Sequence, residues 1–276
     1  MVERVMRSVV LTVLTGLILT GCGRQGVRNP SRGSGLPATG PVSASTPRSF
    51  ILPSIEAVGG LPAWRQTTKL DLDGIVAAYN SDGGVYLTEH QFSIYPWSDS
   101  IQVTASEPRV RMSWQVSYGR CTIKGDTSLD ASPLNGSYHE YADAVLEIVT
   151  APARLMDDNV SLTRKPIPIQ IAGQWYQPIE AKFQPRETVS DQKDGKRVTV
   201  HEPYWTQGIY FQDQGSSVVN MIWLANPGEQ RYLLVRGYDY ARAAGTGVLL
   251  PAKIEIFRSD RTAQFGPRLA LIDFRR

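Results

Sequence analysis

From Leu70 onward, apolar and polar residues alternate with a period of two, the spacing of a strand with one buried face. Leu70, Leu72, Gly74, Val76 and Ala78 share one face, and Asp71, Asp73, Ile75, Ala77 and Tyr79 share the other. Ser81-Asp82-Gly83-Gly84 predicts a tight turn, because glycine enters positive φ at little cost, and Val85 to Tyr95 predicts the return strand. Ile101, Val103 and Ala105 continue the pattern. So do Val110, Met112, Trp114, Val116 and Tyr118, after a turn at Glu107-Pro108. Further strands are expected at 167–172, 175–183, 197–201, 205–212, 217–225, 230–240, 250–257 and 269–274. Signals such as Asp194-Gly195, Asn226-Pro227-Gly228 and the Gly245/Gly247 loop separate them.

Two segments break this period. Ile55 to Trp64 predicts a short helix, a Gly59-Gly60 break and a second helical turn carrying Trp64. Tyr138 to about Pro152 places Ala142, Val145, Leu146 and Val149 at the spacing of a core-facing helical stripe, with another helical turn near Arg154–Asp158. With short, hairpin-like connections, the expected fold is mainly β (α+β): a curved antiparallel half-barrel of about 11–12 strands, with two or three helices covering its concave face. Nothing marks a boundary after residue 50, so one domain is expected over 50–276.

The late strands are apolar on both faces. Val218, Asn220, Ile222 and Leu224 alternate with Val219, Met221, Trp223 and Ala225. Two readings stay open: a helix on one face and a second sheet on the other, or a cavity wall that meets a hydrophobic ligand. On the second reading, Val145, Leu146, Val149, Trp114, Val219, Met221, Trp223, Ile254 and Ile256 are the candidate cavity residues.

The first residues change the picture of where the protein works. Arg4 and Arg7 precede an apolar run from Val9 to Leu19, too short to span a bilayer and suited to a secretory signal. It ends in Leu19-Thr20-Gly21-Cys22, which resembles the lipobox of bacterial lipoproteins. That resemblance implies a signal peptide at 1–21, acylation of Cys22 and a membrane anchor. Gly23 in place of Asp implies the outer membrane, facing the periplasm. Residues 22–49 are rich in Gly, Ser and Pro, with almost no large apolar side chains, and are expected to form a disordered tether.

The formal charge is +3, but residues 1–50 carry six arginines and one acid, so the remainder is near −2. A nucleic-acid partner is not expected on that balance. If Cys22 is acylated, Cys121 has no partner in the chain and is expected to act as a small buried hydrophobe.

Catalytic patterns are scarce. There is no Gly-x-Ser-x-Gly elbow, and Ser216-Ser217 fits a turn. His90, His139 and His201 lie far apart, without metal-ligand spacing, so no metal or cofactor is expected. Asp71 and Asp73 share a strand face and are expected to be a solvated edge. The adjacent aromatics Trp175-Tyr176 and Tyr204-Trp205 suit either sheet packing or a platform for sugars or acyl chains.

A lipobox, a tether, a short helix before a meander, one central helix and a closing strand pair resemble the LolA/LolB-like family. The closing pair reads Leu250-Pro251-Ala252-Lys253-Ile254, then Leu269-Ala270-Leu271-Ile272-Asp273-Phe274. The resemblance implies a half-open barrel lidded by helices that binds a lipid or lipoprotein acyl chain as a monomer, without catalysis. The connections at 125–137 and 184–196 are extra material beside that family. The alternative is a non-catalytic envelope scaffold with a filled core; a hydrolase is the third reading.

Overall fold

A computed structural model describes residues 48–275, apart from 81, 107–110, 125–133, 135–136 and 193–194. The expectations for the signal peptide, for Cys22 and for nearly all of the tether lie outside the described residues, as does most of the 125–137 connection.

The N-terminal half is a meander of five strands: β1 Leu70–Tyr79, β2 Val85–Tyr95, β3 Ser100–Ser106, β4 Arg111–Ser117 and β5 Arg120–Lys124. The helices α3 Tyr138–Val149 and α4 Ala151–Arg154 follow. The second half contains β6 Val160–Arg164, β7 Ile169–Ile171, β8 Gln174–Phe183, β9 Arg186–Gln192, β10 Gly195–His201, β11 Gln207–Asp213, β12 Val219–Asn226 and β13 Arg231–Tyr238. It ends with β14 Ala241–Arg242, β15 Leu249–Leu250, β16 Lys253–Arg258 and β17 Arg268–Phe274. Ahead of β1 lie α1 Leu52–Ala57 and α2 Gly60–Gln66, separated by Gly59 at φ +117.

Thirteen strands form one sheet in the order β5-β4-β3-β2-β1-β17-β16-β13-β12-β11-β8-β6, with β7 also on β8. The last strand therefore lies against the first, with Val76 opposite Ile272. Among the described pairings β5 meets only β4 and β6 only β8, so the sheet is open. This is the mainly β, curved antiparallel architecture expected, with four α-helices among the described residues in place of two or three.

The sheet curls because α3 demands it. Tyr138, Tyr141 to Val149 are all buried, so the helix needs cover on every side. It contacts β3, β4 and β5 from one half of the sheet and β12, β13 and β16 from the other. Its aromatic face meets a core histidine: Tyr141 Oη lies 2.8 Å from His90 Nδ1, and Trp114 stands edge-on to His90 at 5.5 Å. Burial pushes the His90 pKa down to about 3, so the ring is neutral packing material at physiological pH.

Three sequence expectations need correction. Asp71 and Asp73 are solvated, but on a central strand rather than an edge, since β1 pairs with both β2 and β17. The 184–196 connection is largely the β9–β10 hairpin, where Val198 and Val200 are exposed. Arg48, placed in the tether, is docked at the α4–β6 turn, where it donates to the carbonyls of Met156, Asp157 (2.7 Å) and Val160 (3.3 Å).

The packing predicts sharply unequal costs for two leucines. Leu146→Ala should destabilise the fold by about 2–5 kcal/mol, since Leu146 is 1% exposed at the centre of the curl. Leu87→Ala, on the outer face at 67% exposure, should stay within about 0.5 kcal/mol. Urea unfolding of both variants measures the contrast.

Candidate functional site

All nine predicted cavity residues are core residues. Trp114, Val145, Leu146, Val149, Val219, Ile254 and Ile256 pack in the main cluster around α3. Met221 and Trp223 point to the opposite face of β12 and join Tyr176, Phe211, Ala225 and Leu234 in a smaller cluster. Among the described residues, neither a helix nor a second sheet packs on that outer cluster. The loop after β16 packs on it, where Trp223 Nε1 donates to the Asp260 carbonyl at 3.1 Å and Ala263 lies alongside, with Phe257 of β16 also in contact. The two-faced apolar pattern thus reports two packed layers of unequal size.

Helix α3 carries two carboxylates into the interior, Asp143 and Glu147, and these organise a polar seam. Arg154 Nε donates to Glu147 Oε1 at 2.9 Å, and its Nη1 reaches Asp99 at 3.1 Å, in the turn between β2 and β3. Tyr210 Oη donates to the other Glu147 oxygen at 2.7 Å. Arg186 pairs with Asp157, and its guanidinium lies 5.7 Å from the Tyr118 ring. Burial alone would lower the Arg154 pKa, but Glu147 and Asp99 more than offset it, so the guanidinium stays charged.

Among the described residues, Asp143 has no such partner. Burial, with the nearby charges of Asp99 and Glu147, raises its pKa well above the usual carboxylate range. His139 Nε2 lies 3.5 Å away, too far for a good hydrogen bond. Burial and Arg231 push the His139 pKa down to about 4, so that contact is not an ion pair at neutral pH. The seam encloses about 40 Å³, room for a water molecule or two. Among the described residues, no group of three His, Cys, Asp or Glu side chains is placed to hold a metal ion. Cys121 is half-buried, and burial with Asp143 pushes its thiol up to about 11, away from nucleophilic thiolate chemistry.

The space fit for an organic ligand lies elsewhere. β13 ends at Tyr238, Asp239 turns at φ +53, and the chain leaves the sheet as the small β14–β15 hairpin before Pro251 returns it to β16. The hairpin is held by Leu249 N–H donating to the Val58 carbonyl at 3.0 Å. It also packs on Gly59, where an added Cβ would lie 3.0 Å from Gly247 O and Val248 Cα. Between this hairpin and the start of β1 opens a cleft of about 450 Å³. Its apolar lining includes Leu70, Leu72, Leu250, Pro251, Ala252 and Phe274, and its charged lining is Lys69, Asp71, Asp73, Arg242 and Arg275. None of the nine predicted cavity residues lines it. The available signals were the Gly245/Gly247 loop and the Leu250-Pro251-Ala252 run, whose proline interrupts strand pairing.

The adjacent aromatics divide between these settings. Trp175 is 52% exposed and Tyr176 is buried, while Trp205 is buried and the Arg231 guanidinium lies 5.0 Å from the Tyr204 ring.

No family model and no curated protein matches the chain. Among solved structures it is similar to a LolA superfamily protein from Nitrosomonas europaea, with a TM-score of 0.48, 11% identity, and coverage of 83% of this chain and 91% of that one. It is similar to a DUF1329 family protein from Desulfovibrio piger, with a TM-score of 0.43, 8% identity, and coverage of 82% and 90%. It is also similar to a domain described as an outer membrane lipoprotein-sorting protein from Vibrio parahaemolyticus, with a TM-score of 0.42, 8% identity, and coverage of 75% and 84%.

Burial raises the pKa of both buried carboxylates, but Glu147 has the Arg154 ion pair and the Tyr210 hydrogen bond to oppose it, so the two should respond differently to neutralisation. A carboxyl whose folded pKa is raised favours folding at low pH, and that contribution is lost as pH rises from about 4 through the folded value. Asp143→Asn should therefore stabilise the protein by about 1–2 kcal/mol at pH 8, the gain vanishing below about pH 4. Glu147→Gln should destabilise it by about 2 kcal/mol or more at pH 8, because Arg154 loses its closest carboxylate. Denaturant melts across pH separate the two.

Proposed function

We propose that this chain is a lipid-anchored envelope protein that binds the acyl chain of a lipid or lipoprotein in the cleft between β1 and the β14–β15 hairpin, without catalysis. The observation that carries this reading is the cleft itself. At about 450 Å³ it falls within the range of about 300–1,000 Å³ typical of small-molecule pockets, and its wall sets apolar side chains such as Leu72, Pro251 and Phe274 beside charged ones. The anchor in this reading is Cys22, acylated after removal of residues 1–21 and followed by a Gly/Ser/Pro tether, with the domain facing the periplasm from the outer membrane. Two or more acyl chains give stable attachment, since each buried methylene contributes about 0.8 kcal/mol.

One observation favours a second reading, an envelope scaffold: α3 and its neighbours fill the concave face of the sheet. The same experiment separates the two. Expressed with its own signal in a Gram-negative host, the protein should incorporate labelled palmitate, and Cys22→Ser should not. The soluble Cys22→Ser chain should then release stoichiometric acyl lipid on solvent extraction, detected by mass spectrometry against an unrelated exported control. Ala244→Trp, at an exposed position on the cleft wall, should lower that yield severalfold without shifting the thermal midpoint. A lipid-free chain would point to the scaffold.

A further inference from the structure

Resting on the cleft reading above, we infer that the cleft selects acyl ligands with an anionic head group and that Arg242 is the residue that reads the charge. The other charges of the wall are mostly committed. Lys69 Nζ sits 2.8 Å from Asp71 Oδ1, and the same oxygen accepts from Ser93 Oγ at 2.7 Å. The Arg275 side chain pairs with Glu89, outside the cleft lining, while its backbone N–H donates to the Asp73 carbonyl at 2.8 Å. Arg242 differs. Its Nη1 donates to the Gly247 carbonyl at 3.1 Å, and among the described residues no carboxylate lies within ion-pair distance of it. A guanidinium has five N–H donors, so most of its hydrogen-bonding capacity is free.

Its position suits the task. Arg242 pairs with Leu249 across the β14–β15 hairpin, and the next pair, Ala241 and Leu250, brings the cleft's aliphatic wall beside it. The contact with Gly247 O holds the side chain against its own hairpin, which lowers the ordering cost of meeting a ligand. Asp71 and Asp73 also line the cleft from β1, and Lys69 neutralises the first of them. With Lys69 paired to Asp71 and Arg275 paired to Glu89, the wall charges that remain are Arg242 on the hairpin and Asp73 on β1. Carboxylate and phosphate head groups share the chemistry Arg242 reads, planar or trigonal oxygens that accept paired N–H donors.

The test uses the full chain carrying Cys22→Ser, purified without detergent. A dansylated undecanoic acid reports binding by fluorescence, and competitors share one oleoyl chain: oleate, a lysophosphatidate, oleyl alcohol and oleylamine. Oleate or the lysophosphatidate should displace the probe about tenfold more tightly than oleyl alcohol, with oleylamine weakest, and the preference should shrink at high salt. Whichever anion is tighter identifies the head group as carboxylate or phosphate. Arg242→Gln should bring the anionic and neutral competitors within about twofold, and Arg242→Lys should restore part of the preference. Equal displacement by oleate and oleyl alcohol in the parent chain, or a preference that survives Arg242→Gln, would overturn the inference and leave the cleft reading standing. Failure of the probe and every competitor to bind would overturn both.

Discussion

Burying a helix on every side removes its polar residues from water and forces the surrounding sheet to reach it from two directions. Helix α3 imposes both conditions. Strands β3 to β5 and strands β12, β13 and β16 touch the same twelve-residue helix, and they do so only if a thirteen-stranded sheet curls back on itself. The join of β1 to β17 at the middle of the sheet makes this curl one continuous surface. The price is paid by Asp143 and Glu147. Glu147 is matched by Arg154 and Tyr210, and Asp143 is held in a neutral-favouring pocket of the seam.

A filled interior moves the question of ligand binding outward. Residues on the concave face are committed to α3, so space remains where the backbone departs from the sheet. The β14–β15 hairpin is that departure. Its position follows from local chemistry: a left-handed turn at Asp239, a proline at 251 with no N–H to pair, and a close approach to Gly59 that a side chain would obstruct. The cleft beside it combines an aliphatic wall with charged residues, the composition that suits an amphiphile.

Much of the fold was legible in the sequence. Val85–Tyr95 was readable to the residue as a strand, and the helix starting at Tyr138 was marked by Ala142, Val145, Leu146 and Val149. The strand obeys a single period because only one of its faces is buried. The polar positions of α3 were harder to read: Asp143 and Glu147 would mark a solvated face on an ordinary amphipathic helix, and here they are buried. The cleft was the least legible feature. Its wall comes from segments as distant as Leu70, Arg242 and Phe274, and no periodicity links them. Two-faced apolar strands drew attention to Met221, Trp223, Ile254 and Ile256, yet a strand packed in two layers and a strand lining a cavity share the same alternation.

On the proposed reading, an acyl ligand occupies the cleft and not the space around α3. Photo-crosslinking with a diazirine-bearing fatty acid, followed by peptide mapping of the labelled full chain, tests this directly. Adducts are expected on peptides containing Leu70–Leu72 and Leu250–Ala252, which line the cleft from its two sides. Adducts concentrated on Val145–Val149 and Trp114 would contradict it, because the ligand would then have displaced the core packing on which the curl of the sheet depends.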